Sequence, residues 1–303
     1  MAVNTLEFAQ ILMQKLDQAA VQNMVTGWMD SNAGQVKYNG GNEVKIPTIA
    51  TDGLATYGRN GNTGFVDGTA TLTYSTYTMT QDRGRRFQLD RNDVDETNFV
   101  ATASQIMSQF QLNKVVPEID AYRISKLASY AATEMTKADY TPAAASIVSE
   151  IKTGIKNIRK QGYNGGLVIM ATYDVVNEIE MAMAGKLMAT TFSQGGFNTT
   201  CSTIDGVPVI PVPDNRMYTA ITLYDGKTSG QTAGGYIKGS SAKDINFIIV
   251  PSDVPIGITK QDNMRIFKPD VNQSADAWLM DYRRYHDLWV LTNKRNSIYL
   301  NTK

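Results

Sequence analysis

The residues best suited to chemistry are one histidine and one cysteine, which lie far apart in the chain. His286 is the only histidine, and on a strand the carboxylate of its neighbour Asp287 points to the opposite face. The two side chains therefore cannot form the coupled base and orienting acid of a hydrolase triad. Cys201 lies in a polar region with no motif around it, so we expect a buried structural thiol. We predict that neither residue is catalytic.

Two further patterns resemble ligand-binding loops but lack parts that the chemistry requires. The acidic run at 90–96 is rich in oxygen ligands, yet Asp95 occupies the position where a calcium loop needs glycine. A loose metal contact between subunits stays open, and solvated charge or ion pairing between subunits is favoured. The glycines at positions 58, 61 and 64 lack the preceding strand and following helix of a nucleotide-binding loop. We predict no metal site and no cofactor.

Composition excludes several classes of protein. The 303 residues give room for about two domains. The 29 basic and 29 acidic side chains cancel, whereas a dedicated nucleic-acid-binding module normally shows a basic excess. A single cysteine excludes an intramolecular disulfide and a multi-cysteine zinc site. Because Glu7 and Asp17 interrupt the N-terminus and the apolar run at 245–250 is short, we expect a soluble chain with no signal peptide and no membrane span.

The element around which the chain is organised is a long helix predicted over residues 97–135. Apolar positions recur at helical spacing in both halves. They are Phe99, Ala103, Ile106 and Phe110, then Val116, Ile119, Leu127 and Tyr130, with Arg123 in the same stripe. Asp95 or Thr97 is the predicted N-cap, and Pro117 predicts a kink or break. The flanking segments must pack onto this stripe.

Before the helix, the pattern changes to strands that are polar on both faces. Residues 69–80 are rich in Thr and Tyr, which favour strands but tolerate water. Such a strand cannot lie in a core, so residues 43–89 are predicted to form a two-stranded ribbon that projects from the body. An isolated ribbon is marginal in water, and packing on another subunit would stabilise it. Residues 81–96 are predicted to close the ribbon, with Arg83 and Arg85 on one face and Arg86 on the other.

The remaining segments predict a helical arm and an α+β domain. Residues 1–30 keep helical apolar spacing and need a surface to cover. After the long helix we predict helices over 141–159 and 173–184 and strands at 166–171, 207–212, 221–224 and 244–250. The stretches at 185–203 and 228–241 are predicted as polar connections, the second a surface loop. The chain end is predicted as a hairpin of 277–291 with 297–300 beside the long helix.

Three stretches resemble one protein family. The sequence VVPEIDAYRISKLA at 115–128 resembles the spine helix of tailed-phage major capsid proteins of the Hong Kong 97 type, in the branch common among phages of Gram-positive hosts. The Thr-rich ribbon before it and YRRYHDLWVLTNKRNSIYL at 282–300 are similar to that family as well. The resemblance implies an α+β fold with a spine helix, peripheral domain, axial domain, extended β-ribbon loop and N-terminal arm.

The resemblance also implies a division of the chain and a set of contact residues. The arm would be 1–36, the extended loop 37–92, the peripheral domain 93–139 and 245–303, and the axial domain 140–244. Subunit contacts are expected from the extended loop and its base, at Arg59, Asn60, Phe65, Tyr74, Tyr77, Arg83, Arg85 and Arg86. Spine-helix contacts are expected at Glu118, Asp120, Tyr122 and Arg123.

The resemblance implies a structural protein rather than an enzyme. It would assemble with itself as pentamers and hexamers into an icosahedral shell around double-stranded DNA, held without sequence specificity. Scaffolding, portal and head-completion proteins would be further partners. The chain would be made in the host cytoplasm and located in the virion capsid. An encapsulin-like shell around a protein cargo is the alternative, and a soluble enzyme with a small-molecule ligand is a third hypothesis.

Overall fold

The computed structural model describes residues 23–38, 41–59, 64–91 and 99–303. In these ranges the α-helices are α1 Phe99–Phe110, α2 Val116–Tyr130, α3 Ile147–Lys160 and α4 Tyr173–Ala182. The strands are β1 Lys37–Tyr38, β2 Glu43–Thr51, β3 Ala70–Thr78, β4 Gln81–Asp90, β5 Thr136–Lys137, β6 Leu167–Thr172, β7 Met188–Gln194, β8 Phe197–Ile204, β9 Val207–Val212, β10 Ile221–Leu223, β11 Tyr236–Lys238, β12 Ile245–Pro251, β13 Ile256–Phe267, β14 Ala277–Trp289 and β15 Tyr299–Thr302. Short 3-10 helices span Gly27–Gln35, Thr133–Met135, Asp214–Arg216, Pro269–Val271 and Thr292–Ser297.

A seven-stranded mixed sheet carries the main core, in the order β5-β15-β12-β6-β9-β8-β7. Both central strands, β6 and β12, are buried along their whole length. Their side chains alternate between two clusters: Val168 and Met170 face one, whereas Ile169 and Ala171 face the other. A strand covered on both faces needs a continuous apolar run rather than alternation, which is what these segments have.

Helices cover both faces of this sheet. On one face, Ile124 and Leu127 of α2 pack with Trp28 of the N-terminal segment. On the other, Ile147, Ile151 and Ile158 of α3 pack with α4. Gly154 permits this close packing, because a Cβ there would lie 2.6 Å from Cδ1 of Tyr299.

The long helix runs through Pro117 without breaking. A π-helical turn, Gln111–Val115, joins α1 to α2, and the N–H of Val116 donates to the carbonyl of Gln111. The wider turn accommodates a proline that lacks the donor and would clash with the preceding turn of an α-helix. Of the two predicted alternatives, a kink or a break, the break is not seen, and the π-helical turn marks the irregularity expected near Pro117. The helix ends at Tyr130 instead of 135. The proposed N-caps, Asp95 and Thr97, lie outside the described residues.

A second sheet, β13-β14-β4, packs against α1. Strand β4 pairs with β14 from Asp90↔Ala277 to Gln81↔His286, so it does not close the ribbon as predicted. The chain-end hairpin is also different, because β14 pairs with β13 and β4, whereas β15 enters the large sheet beside β12. Both errors concern pairing between strands distant in sequence, which a local pattern does not specify.

Three smaller differences concern element boundaries. Helix α3 begins at Ile147 rather than at 141. The polar stretch at 185–203 contains most of the hairpin β7–β8, and the loop at 228–241 contains β11.

The predicted strand at 207–212 and the helix beginning at Tyr173 are confirmed. No helix among the described residues is long and apolar enough to cross a membrane.

The predicted domain division stays a prediction. One observation bears on it: β12 and β15, assigned to the returning part of the peripheral domain, pair within the large sheet that also holds β6 and β9. The predicted arm, 1–36, falls mostly outside the described residues.

Candidate assembly surfaces

The ribbon consists of β2, β3 and the connection between them, residues 52–69. Its strands pair antiparallel without interruption from Glu43↔Thr78 to Thr51↔Ala70. Beyond Lys45, β2 has β3 as its only partner among the described strands, which suits Pro47 because that residue cannot donate to a second ladder. Most side chains of β3 are exposed. The predicted projecting ribbon is thus present in β2 and β3, and β1 pairs with β2 at its base, where Tyr38 lies opposite Val44.

The outer part of the ribbon is ordered by its own contacts. The carboxylate of Asp52 accepts hydrogen bonds from the backbone N–H and the hydroxyl of Thr69, both at 2.7 Å. Gly58 N–H donates to the carbonyl of Gly64 at 3.1 Å. The rings of Tyr57 and Phe65 meet edge to face, with centroids 4.9 Å apart.

Four apolar side chains of this connection face solvent, and we call them the knob: Leu54, Tyr57, Phe65 and Val66. Phe65 is 89% exposed and Tyr57 is 54% exposed. Single exposed apolar residues are ordinary, but four on one short connection, two of them in ring contact, are typical of a protein–protein contact. Arg59 is exposed beside it, and Asn60 lies outside the described residues.

The base of the ribbon is anchored in a small core. Val44, Ile46 and Met79 pack with Ile258 and Trp289. The alternation of Val44 and Ile46 therefore places one face of β2 inward at the base. Of the predicted contact residues here, Tyr77 packs on Trp289 with ring centroids 5.6 Å apart, and Tyr74 is exposed.

A buried carboxylate fixes the point where the ribbon joins β4, and we call this group the clamp: Asp287, Thr80 and Tyr122. Asp287 is fully buried and accepts from the backbone N–H and hydroxyl of Thr80, at 2.9 and 3.0 Å. It also accepts from Tyr122 Oη at 2.7 Å and from its neighbour's N–H, Leu288, at 2.8 Å. Burial, with the nearby Asp287 charge, raises the pKa of Tyr122, which keeps the phenol a donor. The clamp joins the ribbon, the spine helix and β14.

The contacts of the clamp are not predicted from the sequence. The pattern there pairs Asp287 only with His286, whereas its oxygens accept hydrogen bonds from Thr80, Tyr122 and the N–H of Leu288. One signal in the sequence is that Asp287 directly precedes the apolar run at 288–291, because a carboxylate that is buried beside such a run needs hydrogen-bond donors.

The arginines of β4 have partners inside the chain. Arg83 forms a bidentate ion pair with Glu118, with N–O distances of 2.7 and 3.1 Å, and it donates to the carbonyl of Tyr224 at 2.8 Å. Arg86 pairs with Asp281, directly opposite on β14. Arg85 donates to the carbonyl of Thr232 at 3.3 Å. The predicted split of the three arginines between two faces is confirmed; their role in subunit contacts stays a prediction.

The other spine-helix residues form a buried polar junction with the N-terminal segment. Asp120 accepts from the N–H and hydroxyl of Thr26 at 3.0 and 2.6 Å and from Arg216 at 2.7 Å. Burial raises the pKa of Asp120, and the Arg216 charge and Thr26 bonds oppose that rise. Arg123, fully buried, donates to the Thr26 carbonyl and to Asp30 at 2.6 Å. These contacts attach residues 25–30 to the helix.

The two residues first considered for chemistry are both buried. Burial, together with the charges of Arg123, Arg284 and Arg83, holds the pKa of His286 well below its ordinary value, so the ring stays neutral. Its Nδ1 has no hydrogen-bond partner among the described residues. Burial raises the pKa of the Cys201 thiol, which makes it a poor nucleophile. Among the described residues no group of three or more His, Cys, Asp or Glu side chains could hold a metal ion.

A cleft of about 930 Å³ lies between β4, the spine helix and the segment 215–238. Its walls include the aromatic rings of Phe87, Phe110, Tyr218, Tyr224 and Tyr236. Six cationic side chains line it: Arg83, Arg85, Lys114, Lys227, Lys238 and Arg284. Three carboxylates do so as well: Asp82, Glu118 and Asp225. The cleft is thus locally basic in a chain whose net charge is zero.

Comparison with known proteins shows the fold. No family model matches the sequence, and no curated protein matches it. A structure from Mycobacterium phage Che8 is similar over 89% of this chain and 90% of its own, with a TM-score of 0.53 and 12% identity. The mature capsid of bacteriophage PhiM1 matches 87% of this chain and 82% of its own, at TM-score 0.54 and 11% identity. The capsid structure of Staphylococcus phage Andhra matches 92% of this chain and 84% of its own, at TM-score 0.51 and 11% identity. The predicted fold class is confirmed: the chain has the fold of these phage capsid proteins.

Proposed function

We propose that this chain, whose fold is that of tailed-phage capsid proteins, is a major capsid protein that assembles into a closed icosahedral shell around phage DNA. The observation that carries the proposal is a fold match over about nine-tenths of the chain, 89% for the Che8 structure, in a molecule that projects an ordered ribbon into solvent. At 12% identity the match establishes the fold but not the function. The function is inferred from the surfaces described above.

The ribbon is the main assembly element. Its knob is ordered, apolar and uncovered within the subunit, so its exposed area is available to a second copy. A buried aromatic side chain covers about 150–250 Å², and a stable interface needs roughly 1,000 Å² or more in total. Tyr57 and Phe65 with their neighbours therefore supply a substantial part of one contact. Arg59, Asn60 and Tyr74 belong to the same contact in this proposal.

The division into domains follows from the same proposal. Residues 1–36 form the arm, 37–92 the extended loop, 93–139 and 245–303 the peripheral domain, and 140–244 the axial domain, which gathers around the axis of a pentamer or hexamer. Arg83, Arg85, Arg86 and Glu118 lie at the base of the extended loop, where their internal pairs hold the shape that a neighbour contacts.

The work of the protein in this proposal is structural. Its partners are further copies of itself, scaffolding, portal and head-completion proteins, and packaged double-stranded DNA. It is located in the virion capsid after assembly in the host cytoplasm. The buried states of His286 and Cys201 agree with a protein that is not an enzyme.

Electron microscopy of particles purified from cells expressing the chain tests this proposal. We expect closed shells of uniform diameter. In particles made during infection, nuclease-resistant DNA inside the shell would support the phage capsid, whereas one abundant enclosed enzyme would support the encapsulin-like alternative. A chain that stays monomeric or dimeric in all salt and crowding conditions would exclude both.

A further inference from the structure

The cleft between β4, the spine helix and the segment 215–238 has the size of a small-molecule site. Its volume of about 930 Å³ lies within the range of about 300–1,000 Å³ that is usual for ligand pockets. Arg83 bridges its walls, because it pairs with Glu118 of the spine helix and donates to the carbonyls of Tyr224 and Gly235 at 2.8 and 3.3 Å. These bonds hold the cleft in shape within a single subunit.

The six cations that line the cleft differ in whether a carboxylate already neutralises them. Three have ion-pair partners: Arg83 with Glu118, Lys238 with Asp244 and Arg284 with Asp262. The other three are exposed and form no ion pair with any residue that the structure describes: Arg85, Lys114 and Lys227. They belong to β4, to the π-helical turn and to the loop between β10 and β11. A multivalent anion in the cleft would therefore meet a cation from each of three elements.

The carboxylates of the lining do not cancel this charge. Asp82 is paired with Arg283, and Glu118 is paired with Arg83. Asp225 accepts hydrogen bonds of 2.6 to 2.8 Å from the hydroxyl and N–H of Thr228 and from the N–H of Lys227, so its oxygens are directed to its own loop. One such carboxylate beside three unpaired cations leaves the cleft positive.

Aromatic rings supply much of the remaining surface. Tyr218, Tyr224 and Tyr236 line the cleft from the segment 215–238, and all three are half-buried. Phe87 and Phe110 line it from β4 and from the end of α1. A planar ring packs well against such faces, in offset-stacked or edge-to-face geometry.

Two buried side chains of the lining carry polar atoms that no described residue satisfies. These atoms are Nδ1 of His286 and Nε of Arg284, whose residues are 4% and 6% exposed. Buried polar atoms in native proteins nearly always have a hydrogen-bond partner. This part of the lining therefore favours a ligand with polar groups over a purely apolar one.

We propose that the cleft binds a small aromatic polyanion of the nucleoside polyphosphate class. The phosphates lie among Arg85, Lys114 and Lys227, and the base packs against the tyrosine rings of the segment 215–238. The bound ligand joins three elements of one subunit, so it stabilises the folded chain. The inference goes beyond the proposed function and does not depend on it, because the whole site lies within one subunit.

Unassembled subunits in which only histidine carries an isotope label test the proposal. His286 lines the cleft and is the only histidine of the chain, so the label gives one NMR signal at the site. That signal should shift and reach saturation when adenosine triphosphate is added. In calorimetry, adenosine and inorganic tripolyphosphate should each bind at least about tenfold more weakly, because the first lacks the phosphates and the second lacks the ring.

Two variants in the cleft and one outside it show which side chains hold the ligand. Arg85→Gln and Lys114→Gln should each raise the Kd for adenosine triphosphate about tenfold, which is the loss expected from one charge-assisted contact. Both side chains are exposed, so the melting temperature without ligand should stay close to that of the parent. The matched control is Lys156→Gln on α3, an exposed lysine outside the cleft with no ion pair among the described residues. Its Kd should equal that of the parent.

Each contrary result overturns a stated part of the proposal. Absence of a saturable shift in the His286 signal, or equal weakening by Lys156→Gln, would exclude the site. Tripolyphosphate that binds as tightly as adenosine triphosphate would exclude an aromatic ligand. A single-stranded oligonucleotide that displaces adenosine triphosphate at lower concentration would assign the cleft to nucleic acid instead. Shell formation enters none of these measurements, so failure of the inference leaves the proposed function standing.

Discussion

The clamp allows a sharp prediction for Asp287→Asn, which keeps the shape of the side chain and removes its charge. One of the two oxygens becomes an NH₂ group. If it faces Thr80, that hydroxyl can rotate to accept, but the backbone N–H of Thr80 loses its acceptor. If it faces the other way, Tyr122 can rotate and the N–H of Leu288 loses its acceptor.

Leaving the N–H of the fully buried Leu288 unpaired costs about 1–3 kcal/mol, and leaving the part-buried N–H of Thr80 unpaired costs about the lower end of that range. For a chain of 303 residues this lowers the melting temperature by roughly 2–5 °C. We therefore expect Asp287→Asn to unfold earlier, as measured by circular dichroism of purified subunits. The ribbon base is loosened at the same time, so the yield of closed shells in electron micrographs should fall as well.

The matched control is Asp174→Asn, which also neutralises an aspartate. Asp174 is exposed and its ion pair with Lys303 is 3.7 Å long, and such surface pairs contribute about 0–1 kcal/mol. Its melting temperature and shell yield should stay close to those of the parent. Equal behaviour of the two variants would refute the role of the clamp.

Three further predictions concern pH dependence, the ribbon and covalent linkage. Because folding holds the pKa of His286 below its ordinary value, the free energy of unfolding is highest above about pH 6.5 and falls as the pH drops. His286→Gln should remove up to roughly 1.4 kcal/mol per pH unit of this decrease, as measured by urea unfolding at pH 5 to 7. The same variant should leave the yield of closed shells unchanged. Replacing residues 59–68 by an Asn-Gly turn should leave a soluble chain that melts within a few degrees of the parent yet forms only capsomers or free subunits; normal shells would contradict the assembly role. Residues 57–68 contain no lysine, so boiling mature particles in detergent should release single chains, whereas a ladder would reveal cross-links we do not expect.

The sequence was most informative where burial follows a simple period. The stripe of Ile119, Leu127 and neighbouring positions predicted the buried face of the spine helix, and the Thr-rich run predicted a ribbon outside the core. Both depend only on local spacing and side-chain polarity.

It was least informative where partners are distant in sequence. The pairing of β4 with β14 joins residues about 200 positions apart, and nothing local specifies it. The hairpin β7–β8 is not predicted because most of its side chains are polar, and its only buried side chains are Phe197, Cys201 and Ile204 of β8. The clamp and the cleft arise from such long-range packing, so their residues are visible in the sequence but their contacts are not.

A reconstruction of the assembled particle by cryo-electron microscopy tests the central claim most directly. The account predicts a closed icosahedral shell in which each ribbon crosses onto a neighbouring subunit, with Tyr57 and Phe65 buried between the two chains. Particles that are small open oligomers, or a shell in which the ribbon lies on its own subunit or extends uncovered into solvent, would contradict it.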